Sequence, residues 1–117
     1  MPGVPEVTDV TATSCRLAWN APDSDGGAPI TDYIIERRSG MTWLPLKKTA
    51  TTTSFEVTEL TEGATYEFRI IAQNKVGKGK PGMPCQPFVA KNPFSKSKNY
   101  VISTTFSALF QILIMII

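Results

Sequence analysis

Residues 60–74, LTEGATYEFRIIAQN, carry the alternation that decides the fold. From Tyr66 onward, Tyr66, Phe68, Ile70 and Ala72 fall on one side and Glu67, Arg69, Ile71 and Gln73 on the other, which is the two-residue period of a half-buried strand. A helix would scatter both sets around its surface. Just upstream, Leu60 and Tyr66 bracket a short connection through Gly63, a residue that accepts the positive φ of a sharp corner. The spacing predicts a tyrosine corner, with the ring under the core and the phenol hydroxyl bonded to upstream backbone, tying one sheet of a sandwich to the other.

Working outward, residues 54–60 place Phe55 and Val57 inward and Glu56 outward, leading into Leu60. Residues 43–49, WLPLKKT, make a short strand that Pro45 confines to an edge. In ITDYIIERRS, Tyr33 and Ile35 point inward and Ile34 and Glu36 outward. Arg37 falls on the inward side, where its stem covers apolar surface and its head reaches water. SCRLAWNAP sets Cys15, Leu17 and Trp19 on one face. Pro2 and Pro5 lead into a first, edge strand over residues 6–12. Beyond Asn74, the loop KVGKGKPG precedes a last strand over residues 83–90 containing Pro84 and Pro87. About seven short strands near ten residues apart, with no helical period, predict an all-β antiparallel sandwich. Its core is Leu17, Trp19, Tyr33, Ile35, Phe55, Val57, Leu60, Tyr66, Phe68 and Ile70.

The 117 residues suffice for one domain with an appendage, and the 42% hydrophobic, 19% charged composition is that of a globular protein. A net charge of +2 is too small to imply nucleic acid, and through Phe94 ten basic residues balance ten acidic ones, so Lys96 and Lys98 supply the surplus. Cys15 and Cys85 sit in no disulfide framework or metal-ligand pattern and are read as reduced thiols. The start, MPGVPEVTDV, lacks the basic and apolar regions of a secretory signal, and none of the four asparagines begins a glycosylation sequon. Both observations point to an intracellular site.

The chain contains no histidine, so the commonest general base and metal ligand is missing. Ser14, Cys15 and the carboxylates form no arrangement of nucleophile, base and orienting group. GKGKPG lacks the spacing of a phosphate-binding loop, and the acidic residues of PDSDGGAP stop short of a calcium loop. No enzyme activity and no cofactor are expected. Lys75, Lys78 and Lys80 gather on one loop, and no acidic residue follows Glu67, so one end of the sandwich is a candidate contact for an acidic protein partner. Ile34 and Ile71, read as exposed neighbours, form a second candidate strip, against the ordinary frequency of scattered apolar surface residues.

The residues that carry a resemblance are Leu17 and Trp19, then DSDGGAPITDYIIERR, Trp43 and LTEGATYEFRIIAQNKVGKGKPG. Together they resemble a fibronectin type III domain over about residues 3–94. The DGGxPIxxYxIExR pattern and AxNxxGxG ending are similar to the domains repeated in giant muscle proteins of the titin and twitchin kind. The resemblance implies an immunoglobulin-like sandwich of a three-stranded and a four-stranded sheet, used as one bead of a cytoplasmic sarcomeric filament. Its implied partners are thick-filament, myosin-associated proteins and neighbouring immunoglobulin and fibronectin domains. The division this suggests is 1–94 as the domain and 95–117 as an apolar tail.

The tail departs from that pattern. Residues 101–117 hold no charge, the lower length limit for a spanning helix, while Ser103, Thr104, Thr105, Ser107 and Gln111 weaken the run. Three readings stand together: a membrane anchor with the domain on the cytoplasmic side, an extra packing or partner element, and translation of an incomplete gene model or unspliced message. The alternative function, a membrane-associated adhesion or receptor fragment, takes the same tail as its membrane segment but sets the domain outside the cell. FQILIMII, uncharged and rich in β formers, is an aggregation hazard wherever it is exposed.

Overall fold

The computed structural model describes residues 1–23 and 27–93. In chain order the strands are β1 (Glu6–Thr8), β2 (Cys15–Ala18), β3 (Ile30–Ser39), β4 (Thr42–Pro45), β5 (Ser54–Val57), β6 (Thr65–Tyr66), β7 (Phe68–Asn74), β8 (Gly77–Lys78) and β9 (Phe88–Val89). They form a three-stranded sheet in the order β1-β2-β5, a four-stranded sheet in the order β4-β3-β7-β8, and a two-stranded pair of β6 with β9. Every pairing is antiparallel. Only Glu67 separates β6 from β7, and β8 and β9 lie on one pass along that same strand, so among the described residues the nine segments amount to seven passes.

The interior forms where the inward columns of the two larger sheets meet. Leu17, Ile35, Phe68 and Ile70 are fully buried, and Cys15, Trp19, Tyr33, Val57 and Leu60 nearly so, while Phe55 and Tyr66 are half-buried against them. Each such aliphatic or phenyl side chain contributes about 1.5–3 kcal/mol through burial. Trp19 meets Tyr33 edge to face at 5.4 Å, and the Tyr66 ring stacks on Phe68 at 6.0 Å with Phe88 tilted against both. These geometries suit the ring quadrupoles.

Several strands are shorter than their sequence runs, for local reasons. The first ends at Thr8, not Ala12, because Asp9 takes a φ of 53° and turns the chain. The run through Leu60 ends as a strand at Val57, and Glu59 adopts a φ of 62°. The edge strand around Trp43 stops at Pro45. Residues 83–90 were expected as one strand, but only Phe88–Val89 pairs regularly, because Pro84 and Pro87 each remove a donor.

The corner forms as the spacing predicts. The Thr61 N–H donates to the Tyr66 hydroxyl at 2.7 Å, and Gly63 turns with a φ of 86°. Leu60 N–H donates to the Thr13 carbonyl at 2.9 Å and Gly63 N–H to the Ala90 carbonyl at 2.8 Å. The connection is thereby fastened to the approach to β2 on one side and to the end of β9 on the other.

Candidate protein-interaction surface

The lysine loop is a tight hairpin between β7 and β8. Asn74 faces Gly77 in register, and the Asn74 Oδ1 accepts the N–H groups of Val76 at 2.9 Å and Gly77 at 3.2 Å. Asn at the first and Gly at the fourth position are the residues that a type I turn favours. The turn leaves Lys75, Val76, Lys78 and Lys80 exposed, Val76 to 81%. Its base is stitched to the start of β3, where the Thr31 hydroxyl donates to the Gln73 carbonyl and the Asn74 amide to the Ala28 carbonyl. The Asp32 carboxyl titrates below its usual value because it accepts hydrogen bonds from Thr31 and then Gln73. Lys75 and the apolar Val76 therefore form the tip of a fixed hairpin, with Lys78 in β8 and Lys80 two residues beyond it.

The outer face of the four-stranded sheet is organised differently from the expected docking strip. Ile71 is 5% exposed and Ile34, directly opposite, is half-buried, so the two do not form an open apolar surface. Ile71 lies outside the interior cluster and on a central strand, where neighbours on both sides shadow the outward column. Next to this pair, Glu36 faces Arg69, and their side chains meet at 2.8 Å; Glu36 is only 9% exposed. Arg38 pairs with Glu67 at 3.5 Å. The Arg69 guanidinium stands 4.5 Å over the Trp43 ring, with Arg38 at 5.8 Å from the same ring. Cation–π attraction and charge pairing thus close this face over the central strands. The alternation of Glu36 with Arg38 and of Glu67 with Arg69 was its signal in sequence, although only the strand register shows that opposite charges meet.

Cys15 and Cys85 are both buried free thiols. Burial, then the neighbouring Cys85, pushes the Cys15 thiol up to about 11; burial also raises Cys85, whose sulfur accepts the Phe68 N–H at 3.4 Å. Neither has the depressed pKa of a nucleophile. Among the described residues no group of three His, Cys, Asp or Glu side chains could hold a metal ion. Of the PDSDGGAP loop, residues 24–26 lie outside the described residues, as does everything from Phe94 to Ile117, including the apolar tail.

Residues 2–88 match the family model of the fibronectin type III domain. Human slow-type myosin-binding protein C is 42% identical over 91 residues, which cover 75% of this chain and 8% of that protein. Chicken fast-type myosin-binding protein C is 37% identical over 82% of this chain and 9% of its own length. The chain thus spans under a tenth of these relatives. Domains A168–A170 from titin superpose with a TM-score of 0.74 at 39% identity, covering 78% of this chain and 32% of that one. The twitchin kinase region from C. elegans gives 0.74 at 35%, covering 81% and 17%. These titin, twitchin and myosin-binding relatives are muscle proteins, and the fold agrees with that of the titin and twitchin structures. The chain belongs to the fibronectin type III family.

Proposed function

We propose that the chain is a non-catalytic structural and protein-interaction module of a sarcomeric filament protein, one bead in a cytoplasmic array that contacts thick-filament proteins and neighbouring immunoglobulin or fibronectin domains. The observation that carries this reading is the 42% identity with slow-type myosin-binding protein C across a fully formed sandwich. The basic hairpin of Lys75, Lys78 and Lys80 is the contact surface within it, suited to an acidic stretch on a filament partner.

Co-sedimentation with myosin filaments tests the contact. The full chain is expected to pellet with filaments in low salt, and reversing the charge at Lys75, Lys78 and Lys80 together is expected to cut the bound fraction severalfold without changing thermal stability. Binding untouched by that reversal moves the contact elsewhere. A tagged chain in muscle cells tests the location: striations support the sarcomeric assignment, and a uniform or surface distribution opposes it. The adhesion or receptor alternative rests on residues 101–117, outside the described residues.

A further inference from the structure

After the lysine hairpin the sequence falls into triplets, Gly79-Lys80-Pro81, Gly82-Met83-Pro84 and Cys85-Gln86-Pro87. The first N–H of each triplet donates to β7: Gly79 to Ala72 at 2.8 Å, Gly82 to Ile70 at 2.9 Å and Cys85 to Phe68 at 2.9 Å. Three residues on the outer segment therefore match two on β7. A regular strand would keep step one for one, whereas a recurrence of three is that of a polyproline II helix, whose φ proline already holds.

The column that bonds the sheet is Gly, Gly, Cys, a series of small residues. Gly82 and Cys85 are buried; a Cβ on Gly82 would collide with the Pro2 carbonyl oxygen, and one on Gly79 would stand 3.4 Å from the Ala72 carbonyl oxygen. The other two columns face away. Lys80, Pro81, Met83, Gln86 and Pro87 are exposed, Met83 to 61%, and Pro84 is half-exposed. Successive X-Pro pairs thus line the open edge of the four-stranded sheet, beyond β7, in the order β4-β3-β7-β8. The missing N–H groups at Pro81, Pro84 and Pro87 deny this edge to an added β-strand.

From this geometry we infer that residues 78–87 are a docking ridge for a partner domain with an aromatic-lined, proline-reading groove and an acidic rim, the chemistry of SH3 domains. Pro81 with Pro84, and Pro84 with Pro87, have the PxxP spacing such grooves read. Lys78, three residues before Pro81, and Lys80 supply the cations that an acidic rim selects, in a stretch with no acidic residue after Glu67. The fold has already ordered the ridge, so the partner is spared the entropy of straightening a free chain. The inference shares Lys78 and Lys80 with the filament contact proposed above but does not rest on it, and Pro81→Ala, which leaves all three lysines in place, separates the two.

The test is a heteronuclear NMR titration of the isotope-labelled full chain with a panel of SH3 domains that accept basic-x-x-Pro-x-x-Pro ligands. The expected result is saturable shifts confined to residues 77–88 with at least one member. Pro81→Ala, at an exposed position, is expected to weaken that binding at least tenfold, and Lys78→Glu to weaken it severalfold, with both variants keeping the parent melting profile. A synthetic peptide of residues 76–90 is expected to bind more weakly than the folded chain. The proposal is overturned if no panel member moves those resonances, if Pro81→Ala binds like the parent, or if the free peptide binds more tightly, which would mean that the fold hides the ridge.

Discussion

The Tyr66 hydroxyl accepts the N–H of Thr61, five positions upstream, at 2.7 Å, while the Tyr66 ring stacks parallel to Phe68. Ring and hydroxyl do separable work. Tyr66→Phe keeps the ring and is expected to cost about 1 kcal/mol, the net value of one hydrogen bond, because exposed Thr61 can turn to water. Phe68→Ala opens a cavity in the fully buried interior and is expected to cost about 3–5 kcal/mol. Urea unfolding of both variants checks the ranking. Equal costs would mean that the corner hydrogen bond, and not ring packing, joins the sheets.

The corner was legible because Leu60, Thr61, Gly63 and Tyr66, which set its turn and its hydroxyl contact, lie within seven residues of chain. The same holds for the inward columns of β2, β3 and β7, where a period of two survives from sequence to structure. What sequence concealed was set by register. Ile71 looked exposed because alternation assigns a face without saying what stands beside it, and Arg69, Trp43 and Glu36 meet only once three strands are aligned. Residues 83–90 looked like a strand with two tolerated prolines. That Pro81 belongs to the same series, in a three-residue step against β7, becomes evident only from the carbonyls to which the N–H groups point.

Gly82 is packed against the amino-terminal residues, since the nearest atoms a Cβ there would meet are the backbone of Pro2 and Gly3. Gly82→Ala is therefore expected to destabilise the domain by about 1–3 kcal/mol through overpacking. The same substitution in a chain beginning at Val4 is expected to be nearly neutral, because the obstructing carbonyl has gone. A double-mutant cycle measured by chemical denaturation checks this. A full cost retained after truncation would place the strain within the Gly82 backbone itself.

Arg69 serves two partners at once, the nearly buried Glu36 carboxylate and the Trp43 ring. Arg69→Ala leaves that carboxylate without its cation and is expected to cost about 2–3 kcal/mol. Arg69→Lys keeps the charge but loses the flat fork that both stacks and donates, so its expected cost lies between that of Arg69→Ala and zero. Trp43 should then become more open to acrylamide quenching, read in a Trp19→Phe background where Trp43 is the sole tryptophan. Unchanged quenching would show that the guanidinium does not shelter the ring.

Cys15 sets an alkaline limit on stability. An ordinary thiol titrates near 9.0, and burial, with Cys85 beside it, pushes Cys15 up to about 11 in the fold. As pH rises past 9.0 the unfolded chain releases a proton that the folded chain keeps, so unfolding gains ground until the folded thiol ionises as well. The contribution is fully present below the unfolded value and declines between about pH 9 and 11, by about 2–3 kcal/mol in all. Cys85, also raised by burial, acts in the same direction. Cys15→Ala should lower stability at pH 7 through the lost packing, yet flatten its decline above pH 9 relative to the parent. Urea midpoints taken from pH 7 to 11 on both chains check the difference in slope. Parallel curves would show that the Cys15 thiol ionises alike in the folded and unfolded chain.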